Sequence, residues 1–407
     1  MRKGRIDILK KIWRIEDAKD LVKKHISISH RCLMTPLAEI VGSIMAENVS
    51  APCNVPHFRR STMDGYAVVA STTHGASDSL PAMLYLGDPK IGDLKLPLCA
   101  RVHTGDIVAA DFDAVMMLEY AEELPDGTVL LSRSIAAGEN IMAVGEDIAE
   151  GSLVLPAGQQ ATPHDVGVLA ALGLATIKTR DFRVGILSTG NEIVPHDCVP
   201  QVGQMRDLNS PLLTSLFRAA GFAVHHCGIF RDDESALTQA LELAVAQFDA
   251  VVLSGGSSAG AVDYTERAVN NLGLPGVLVH GLAVKPGKPT ILGVISGKLV
   301  VGLPGHPLSC AVMAEMVALP LLRYAAGAMV TLPVCQNVVL ARPVASVPGR
   351  RDFVPCRLVG QEAIPQQAKS AAIQVLAASQ GLLVITEECE GYSAGSMVSV
   401  ELWGGRR

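Results

Sequence analysis

The 407 residues exceed what one hydrophobic core organises, so roughly two to four domains are expected. Hydrophobic residues make up 49% and charged ones 18%, with 38 Gly and 23 Pro, a balance that supports buried cores joined by tight turns and excludes a disordered chain. Thirty-four Lys+Arg against 40 Asp+Glu give a formal charge of −6, which offers no global reason to bind nucleic acid and points to a small-molecule partner.

In chain order, the basic N-terminal stretch lacks the apolar core and small-residue cleavage site of a signal peptide. Ile15, Ala18, Leu21, Val22 and Ile26 recur at helical spacing over residues 15–27, and a second helix is expected at 36–47. From Val49 to about Ala149 short runs such as GYAVVA, DAVMMLEY and GTVLLSRSI read as mainly β. Residues 151–179 read as a strand followed by a helix capped by Thr162, opened by Pro163 and ended by Gly173. Beyond Phe182, strands RVGILST, AVHHCGIF and DAVVLSGG alternate with helices at 209–220, 234–247 and 263–272, the signature of a parallel sheet. Strands GVLVHGLAV, PTILGVI and LVVGL then precede a long helix from Pro307 to about Ala325, and an all-β segment follows Thr331. No run of about 20 apolar residues suggests a membrane span, so a cytoplasmic protein that touches no membrane is expected. The nine scattered cysteines include no C-x-x-C pair and read as reduced structural thiols.

The chemistry-bearing loops fall at the carboxyl ends of the α/β strands, where open sheets bind ligands. They are STGNE (188–192), RDD (231–233), GGSSAG (255–260) with Asp263, KPGKP (285–289) and PGHP (304–307). The glycine-rich loop fits neither G-x-G-x-x-G nor a Walker A sequence, so dinucleotide and P-loop readings are weak. Backbone amides, two lysines and several carboxylates on one rim suit a phosphorylated ligand with Mg²⁺. Each has a structural alternative: Glu192 and Asp263 as helix-start acids, Asp232 as the cap of helix 234–247, Lys285 and Lys288 as solvated lysines. Asp64-Gly65 within FRRSTMDGYAV reads as a turn, and RVHTGD (101–106) and GEDI (145–148) add hydroxyl and carboxylate groups in turns.

In this order, MDGYAV, the R-x-x-TG turn, GEDI, STG-x-E, GG-x-S-x-G with DYT, KPGKP and LPG-x-P-x-S resemble the MoeA family, the molybdopterin molybdenumtransferases that include the gephyrin E domain, over essentially the whole chain. The resemblance implies an elongated four-domain subunit with a molybdopterin-binding parallel α/β domain, a discontinuous β-rich N-terminal half and a C-terminal β-barrel-like domain. The implied bounds are 1–27 with 48–146, 28–47 with 147–179, 180–329 and 330–407. It implies a homodimer that takes molybdate and adenylylated molybdopterin as substrates, with Mg²⁺-dependent release of AMP. Handover from the molybdopterin adenylyltransferase and onward to molybdoenzymes is implied as well. Carried onto this sequence, the catalytic positions are Asp64, Thr104, Asp147, Glu192 and Asp263, with Asp64 reaching across from the partner subunit. The metal positions are Glu192, Asp232 and Asp263, and the substrate positions are Gly255, Gly256, Ser258, Gly260, Lys285, Lys288, Pro304, Pro307 and Ser309.

Several positions depart from the family pattern, among them Ser257 and Ala259 where valines are common. Arg59 and Arg60 replace an acidic-amide pair, Ala261 stands where an acid often precedes DYT, and His306 replaces the amide of PGNP. These motivate an alternative, a non-catalytic or regulatory paralogue that binds molybdopterin or a protein partner. A molybdopterin adenylyltransferase is a further alternative, disfavoured by the regions flanking the α/β domain.

Overall fold

The computed structural model describes residues 12–87, 97–255, 259–366 and 369–403, and for residues 259–263 the backbone alone. The chain divides into two compact units, one formed by 48–156 with 167–175 and the other by the rest.

The larger unit is built on a six-stranded sheet ordered Ala223–Phe230, Arg183–Thr189, Ala250–Gly255, Lys298–Leu303, Ile291–Ile295, Pro275–His280. The first four are parallel, as the alternation predicts, because the helices Asn209–Ala219 and Glu234–Gln247 carry the chain back between them. Ile291–Ile295 runs the other way. Its cause is local: Ser296 and Gly297 both have positive φ, 50° and 80°, the two-residue turn that makes adjacent strands a hairpin, so the sheet is mixed rather than parallel throughout. Apolar strands such as 250–255, buried at nearly every position, are what a sheet covered on both faces requires.

Helix Ala259–Asn271 starts four residues before the expected 263. The segment from Pro307 is α-helical to Met313, π-helical over Ala314–Ala318 and α-helical again over Leu319–Ala325. By length and composition this 19-residue stretch could cross a membrane, but 67% of its apolar 18-residue window is buried, and Val312, Met313, Val317, Leu321 and Leu322 belong to the core, as in a buried core helix. The N-terminal helix is Ile15–Lys23, with Ile15, Ala18 and Val22 buried. The helix expected at 36–47 does not form: Cys32–Pro36 is a strand paired with Thr176–Arg180, only a single 3-10 turn follows, and Gly42 at φ 85° breaks the run.

The C-terminal segment forms a second six-stranded sheet, ordered Val284–Lys285, Arg351–Val359, Glu362–Pro365, Cys335–Leu340, Met397–Leu402, Gly381–Ile385, and the last strand also pairs with Arg351–Val359. That closure makes it barrel-like. Its edge strand, 284–285, comes from the α/β region, so the 285–289 loop is anchored in the barrel's hydrogen-bond ladder.

The smaller unit carries a six-stranded sheet ordered Ala114–Met117, Gly65–Val68, Leu98–Val102, Ala82–Leu86, Thr128–Leu131, Ala121–Glu123, with Tyr66, Leu84, Met116 and Leu131 in its core. Gly65 opens a strand rather than a free turn; a Cβ there would lie 1.9 Å from the Met116 carbonyl oxygen.

Candidate active site

The parallel strands end level. Thr189 is in register with Phe230 on one side and Gly255 on the other, and Ser254 with Leu303. The chain leaves 183–189 for one neighbour and then crosses to the other, so the strand order reverses between Thr189 and Gly255. That switch point is where an open α/β sheet forms a ligand crevice. Glycine is demanded on both sides of it. At Gly255, with φ 143°, a Cβ would meet the Thr189 carbonyl oxygen at 2.1 Å, and at Gly190, with φ 146°, it would meet Ile193 at 2.7 Å.

Glu192 lies in the loop that follows Gly190, half-buried, with its backbone carbonyl accepting from Met205 N at 2.8 Å. It precedes the short strand Ile193–Val194 and not a helix, so helix-dipole service does not explain it. Asp232 is likewise freed from its structural alternative, because the cap of helix Glu234–Gln247 is Asp233, whose Oδ1 accepts from Ala236 N at 2.8 Å. The Asp232 carboxyl is pushed above its ordinary value, first by burial and second by the charge of Glu192. Two carboxylates that repel one another across a half-buried rim form an oxygen-donor set suited to a hard divalent cation. Asp263 belongs to helix Ala259–Asn271, and its side chain lies outside the described residues, as do Gly256 and Ser258; Gly260 is in the same helix. Among the described residues no three His, Cys, Asp or Glu side chains converge as a closed metal site.

Lys285 is in register with Asp352 across a parallel ladder. Gly287, at φ 111°, sits against Met313, which a Cβ would approach to 2.3 Å, and its carbonyl accepts from Thr290 Oγ1 at 2.7 Å. The backbone of this loop is thus fixed, while Lys285 and Lys288 are exposed and form no salt bridge among the described residues. Asn209 Nδ2 donates to Gly305 O at 2.9 Å, tying the start of helix Asn209–Ala219 to the 304–307 turn. Within that turn Pro304 is buried, Pro307 half-buried and His306 exposed; Ser309, 4% exposed, lies inside the helix that follows.

A cavity of about 630 Å³ opens beside the 190–192 loop, lined by Asn191, Asp207, Ser210, His226, Phe230 and Arg231 among others. Asp207, 5% exposed, is the residue that sequence reasoning missed. It accepts from Ser188 Oγ at 2.6 Å and from Ser210 Oγ and N at 2.7 and 3.0 Å. The available signal was Asp207 three residues before Ser210 at a helix start, a capping pattern that does not reveal a cavity.

In the smaller unit Asp64 Oδ1 accepts from Thr104 N at 2.7 Å and from Thr104 Oγ1 at 3.2 Å, with His103 Nδ1 at 3.7 Å. The Thr104 backbone bond, then its hydroxyl, holds the Asp64 carboxyl below the usual range although it is exposed. Asp147 is exposed in a turn fixed by Gly145 N donating to Pro56 O and by its own N donating to Val55 O. Arg59 donates to Phe112 O at 2.8 Å, and Arg60 reaches the Met142 sulfur at 3.3 Å.

A β-rich N-terminal region, a mixed α/β domain with its crevice at the switch point, and a barrel-like C-terminal sheet define a multidomain protein with a strand-end ligand crevice. Residues 13–173 match the MoeA N-terminal region (domain I and II), 185–324 the "Probable molybdopterin binding domain", and 337–403 the MoeA C-terminal region (domain IV). The chain belongs to the MoeA family. It is 31% identical to the molybdopterin molybdenumtransferase of Haemophilus influenzae, over 90% of this chain and 92% of that one. It is 32% identical to molybdopterin molybdenumtransferase 2 of Mycobacterium tuberculosis, over 91% and 95%. A crystal structure of the Pyrococcus horikoshii molybdopterin biosynthesis MoeA protein is 34% identical, with 96% of this chain and 99% of that one covered and a TM-score of 0.80.

Proposed function

We propose that the protein is a molybdopterin molybdenumtransferase: it cleaves the AMP linkage of adenylylated molybdopterin and inserts molybdenum from molybdate into the dithiolene. The observation that carries this reading is the meeting of two loops at the rim, where Asp232 N donates to Asn191 Oδ1 at 3.3 Å beside Glu192, with neither Glu192 nor Asp232 used as a helix cap. The set fits Mg²⁺, which takes one or two carboxylates and completes its shell with water and substrate phosphate oxygens. Glu192 and Asp232, with Asp263 from the sequence pattern, would hold the ion, and its chemistry there is to neutralise charge on the phosphoanhydride.

Lys285 and Lys288, on a loop whose backbone is pinned, supply mobile positive charge for the substrate's anionic groups. The loop after Gly255 takes the phosphate or AMP portion. Each oxo group that leaves molybdate as water takes up two protons, and Asp64 and Asp147 are carboxylates suited to moving them, Asp64 with Thr104 fixing its geometry. The bounds 1–27 with 48–146, 28–47 with 147–179, 180–329 and 330–407 are proposed as the four domains of a cytoplasmic homodimer. It takes adenylylated molybdopterin from the adenylyltransferase and passes finished cofactor to molybdoenzymes.

The test is AMP release from adenylylated molybdopterin, with molybdate and Mg²⁺ each present or omitted and molybdenum followed in the pterin product. Mg²⁺-dependent release coupled to metal gain is expected. Tight binding without turnover would replace this reading with that of a non-catalytic paralogue, and Arg59, Arg60, Ala261 and His306 would then be the first changes to revert.

A further inference from the structure

Helix Ala259–Asn271 and the loop 281–290 carry charged groups of the proposed site on separate elements, Asp263 on the first, Lys285 and Lys288 on the second. The helix is held to the sheet by apolar packing, with Ala268 and Val269 buried and Tyr264 packed against the same cluster, and Asn270 Oδ1 accepts from Val277 N at 2.8 Å near its end. The loop is closed at its root, where Gly281 N donates to Thr290 O and Leu282 N to Lys288 O, each at 2.9 Å. Between these two anchorages His280 Nδ1 lies 2.7 Å from Glu266 Oε2, where an imidazole N–H donates to the carboxylate. His280 ends the strand Pro275–His280, and Gly281, at φ 100°, turns the chain into the lysine loop. Glu266 follows Asp263 by three residues, about one helical turn. The bond therefore joins the base of the lysine loop to the turn next to Asp263. Apolar contacts are non-directional and hold a helix down without fixing its register, whereas a hydrogen bond fixes distance and angle. With the two side chains only 17% and 26% exposed, this one is shielded from competing water.

We propose that His280 and Glu266 are a positioning pair for the transfer reaction: their bond sets the helix that carries Asp263 against the loop that carries Lys285 and Lys288, so that these groups meet one ligand in a fixed relative placement. The proposal rests on the transferase reading and adds to it what aligns its parts. Lysine is a point charge on a flexible stem, so its placement depends on the backbone beneath it. A displacement of about 1 Å between charged elements costs far more in the transition state than in ground-state binding. His280 and Glu266 act through Asp263 and the lysines.

Two variants of the full-length protein test this: His280→Phe, which keeps the ring volume and removes the donor, and His280→Asn, whose side-chain amide replaces the Nδ1 donor. Two quantities are read, kcat and KM for AMP release, and the Mg²⁺ concentration that gives half of the maximal rise in melting temperature, which needs no substrate. H280F is expected to lower kcat about tenfold with KM changed less than about twofold, and to raise the Mg²⁺ midpoint about threefold or more. H280N should recover most of both. If H280F does not fold, Glu266→Met against Glu266→Gln makes the same comparison from the other side, since glutamine keeps an acceptor. A merely structural bond would lower the melting temperature of H280F and leave both kcat and the Mg²⁺ midpoint at wild-type values, and that result would overturn the proposal, as would H280N no better than H280F. The transferase reading fails separately, in the wild type. If AMP release is absent there, the shift in Mg²⁺ midpoint still decides the pair, and a wild type with neither AMP release nor a response to Mg²⁺ overturns both.

Discussion

Asp64 and Thr104, forty positions apart, are joined twice, by the Thr104 amide at 2.7 Å and its hydroxyl at 3.2 Å, both to the same carboxylate oxygen. The charge of Asp64 and its role in holding the turn are therefore separable. In Asp64→Asn the side-chain oxygen still accepts from Thr104, so the thermal midpoint should barely move. If the carboxylate moves protons, AMP release should fall on the order of a hundredfold. Unchanged turnover in D64N would reduce Asp64 to a turn-stabilising residue.

Gly255 tests the switch point. An added methyl would meet the Thr189 carbonyl at 2.1 Å, on a backbone already at φ 143°. Gly255→Ala should cost about 2–4 kcal/mol in denaturant unfolding, combining overpacking with backbone strain. A loss below about 0.5 kcal/mol would mean that the two strand ends separate more easily than their register implies.

The contrast between Gly255 and Asp207 marks how far the sequence is legible. Strand-helix alternation located helices 209–219 and 234–247 within a residue, because apolar periodicity is local, and the ordered motifs placed Gly255, Glu192 and Lys285 on one family pattern. Three features needed distant partners. Asp207 acquires its meaning from Ser188 and His226, nineteen residues away in each direction. The helix expected at 36–47 gives way to a 3-10 turn at Leu37–Glu39 and to isolated bridges from Ile44 to Gln160 and from Met45 to Thr179. The Asp232-Asp233 dipeptide offers two equal capping acids, and only the geometry assigns the cap to Asp233.

The Asp232 carboxyl predicts a pH-dependent response to Mg²⁺. Burial and the charge of Glu192 raise it above its ordinary value near 3.8, so its contribution to stability is fully present below that value and is lost as pH rises through the folded-state value. If the two carboxylates hold Mg²⁺, the ion would offset the repulsion only where both are ionised. The rise in melting temperature on adding Mg²⁺ should therefore be larger at pH 7.5 than at pH 4, about, and should disappear in Asp232→Asn. An equal rise at both pH values, or one retained in D232N, would place the ion elsewhere.

The thiols should divide by burial. Cys99 and Cys310 are pushed up to about 12 and Cys356 to about 11, in each case first by burial, whereas Cys198 and Cys335 are exposed. Since the thiolate is the reactive form, iodoacetamide at about pH 8 should modify Cys198 and Cys335 first and reach Cys99, Cys310 and Cys356 only on unfolding. Peptide mass mapping against time reads this directly, and early modification of Cys310 would contradict its packing beneath the rim.

Arg351 joins the N-terminal helix to the barrel, pairing with exposed Glu16 and, at 3.1 Å, with Glu387. The two partners are unequal. Glu387 is 5% exposed and its second oxygen, Oε1, has no hydrogen-bond partner, so Arg351 provides most of its compensation. Removing one member of a buried pair leaves an unsolvated charge, whereas an exposed pair contributes little. Arg351→Ala should therefore cost about 2–4 kcal/mol of unfolding free energy, and Glu16→Ala less than about 1 kcal/mol. Adding Glu387→Gln to R351A should restore part of the loss, because it removes the stranded charge while keeping the shape. If R351A and E16A cost the same, the barrel side of the bridge is not the part that matters. Because Arg351 sits one position from Lys285 in the shared ladder, the same variant should also weaken substrate binding through the 285–289 loop.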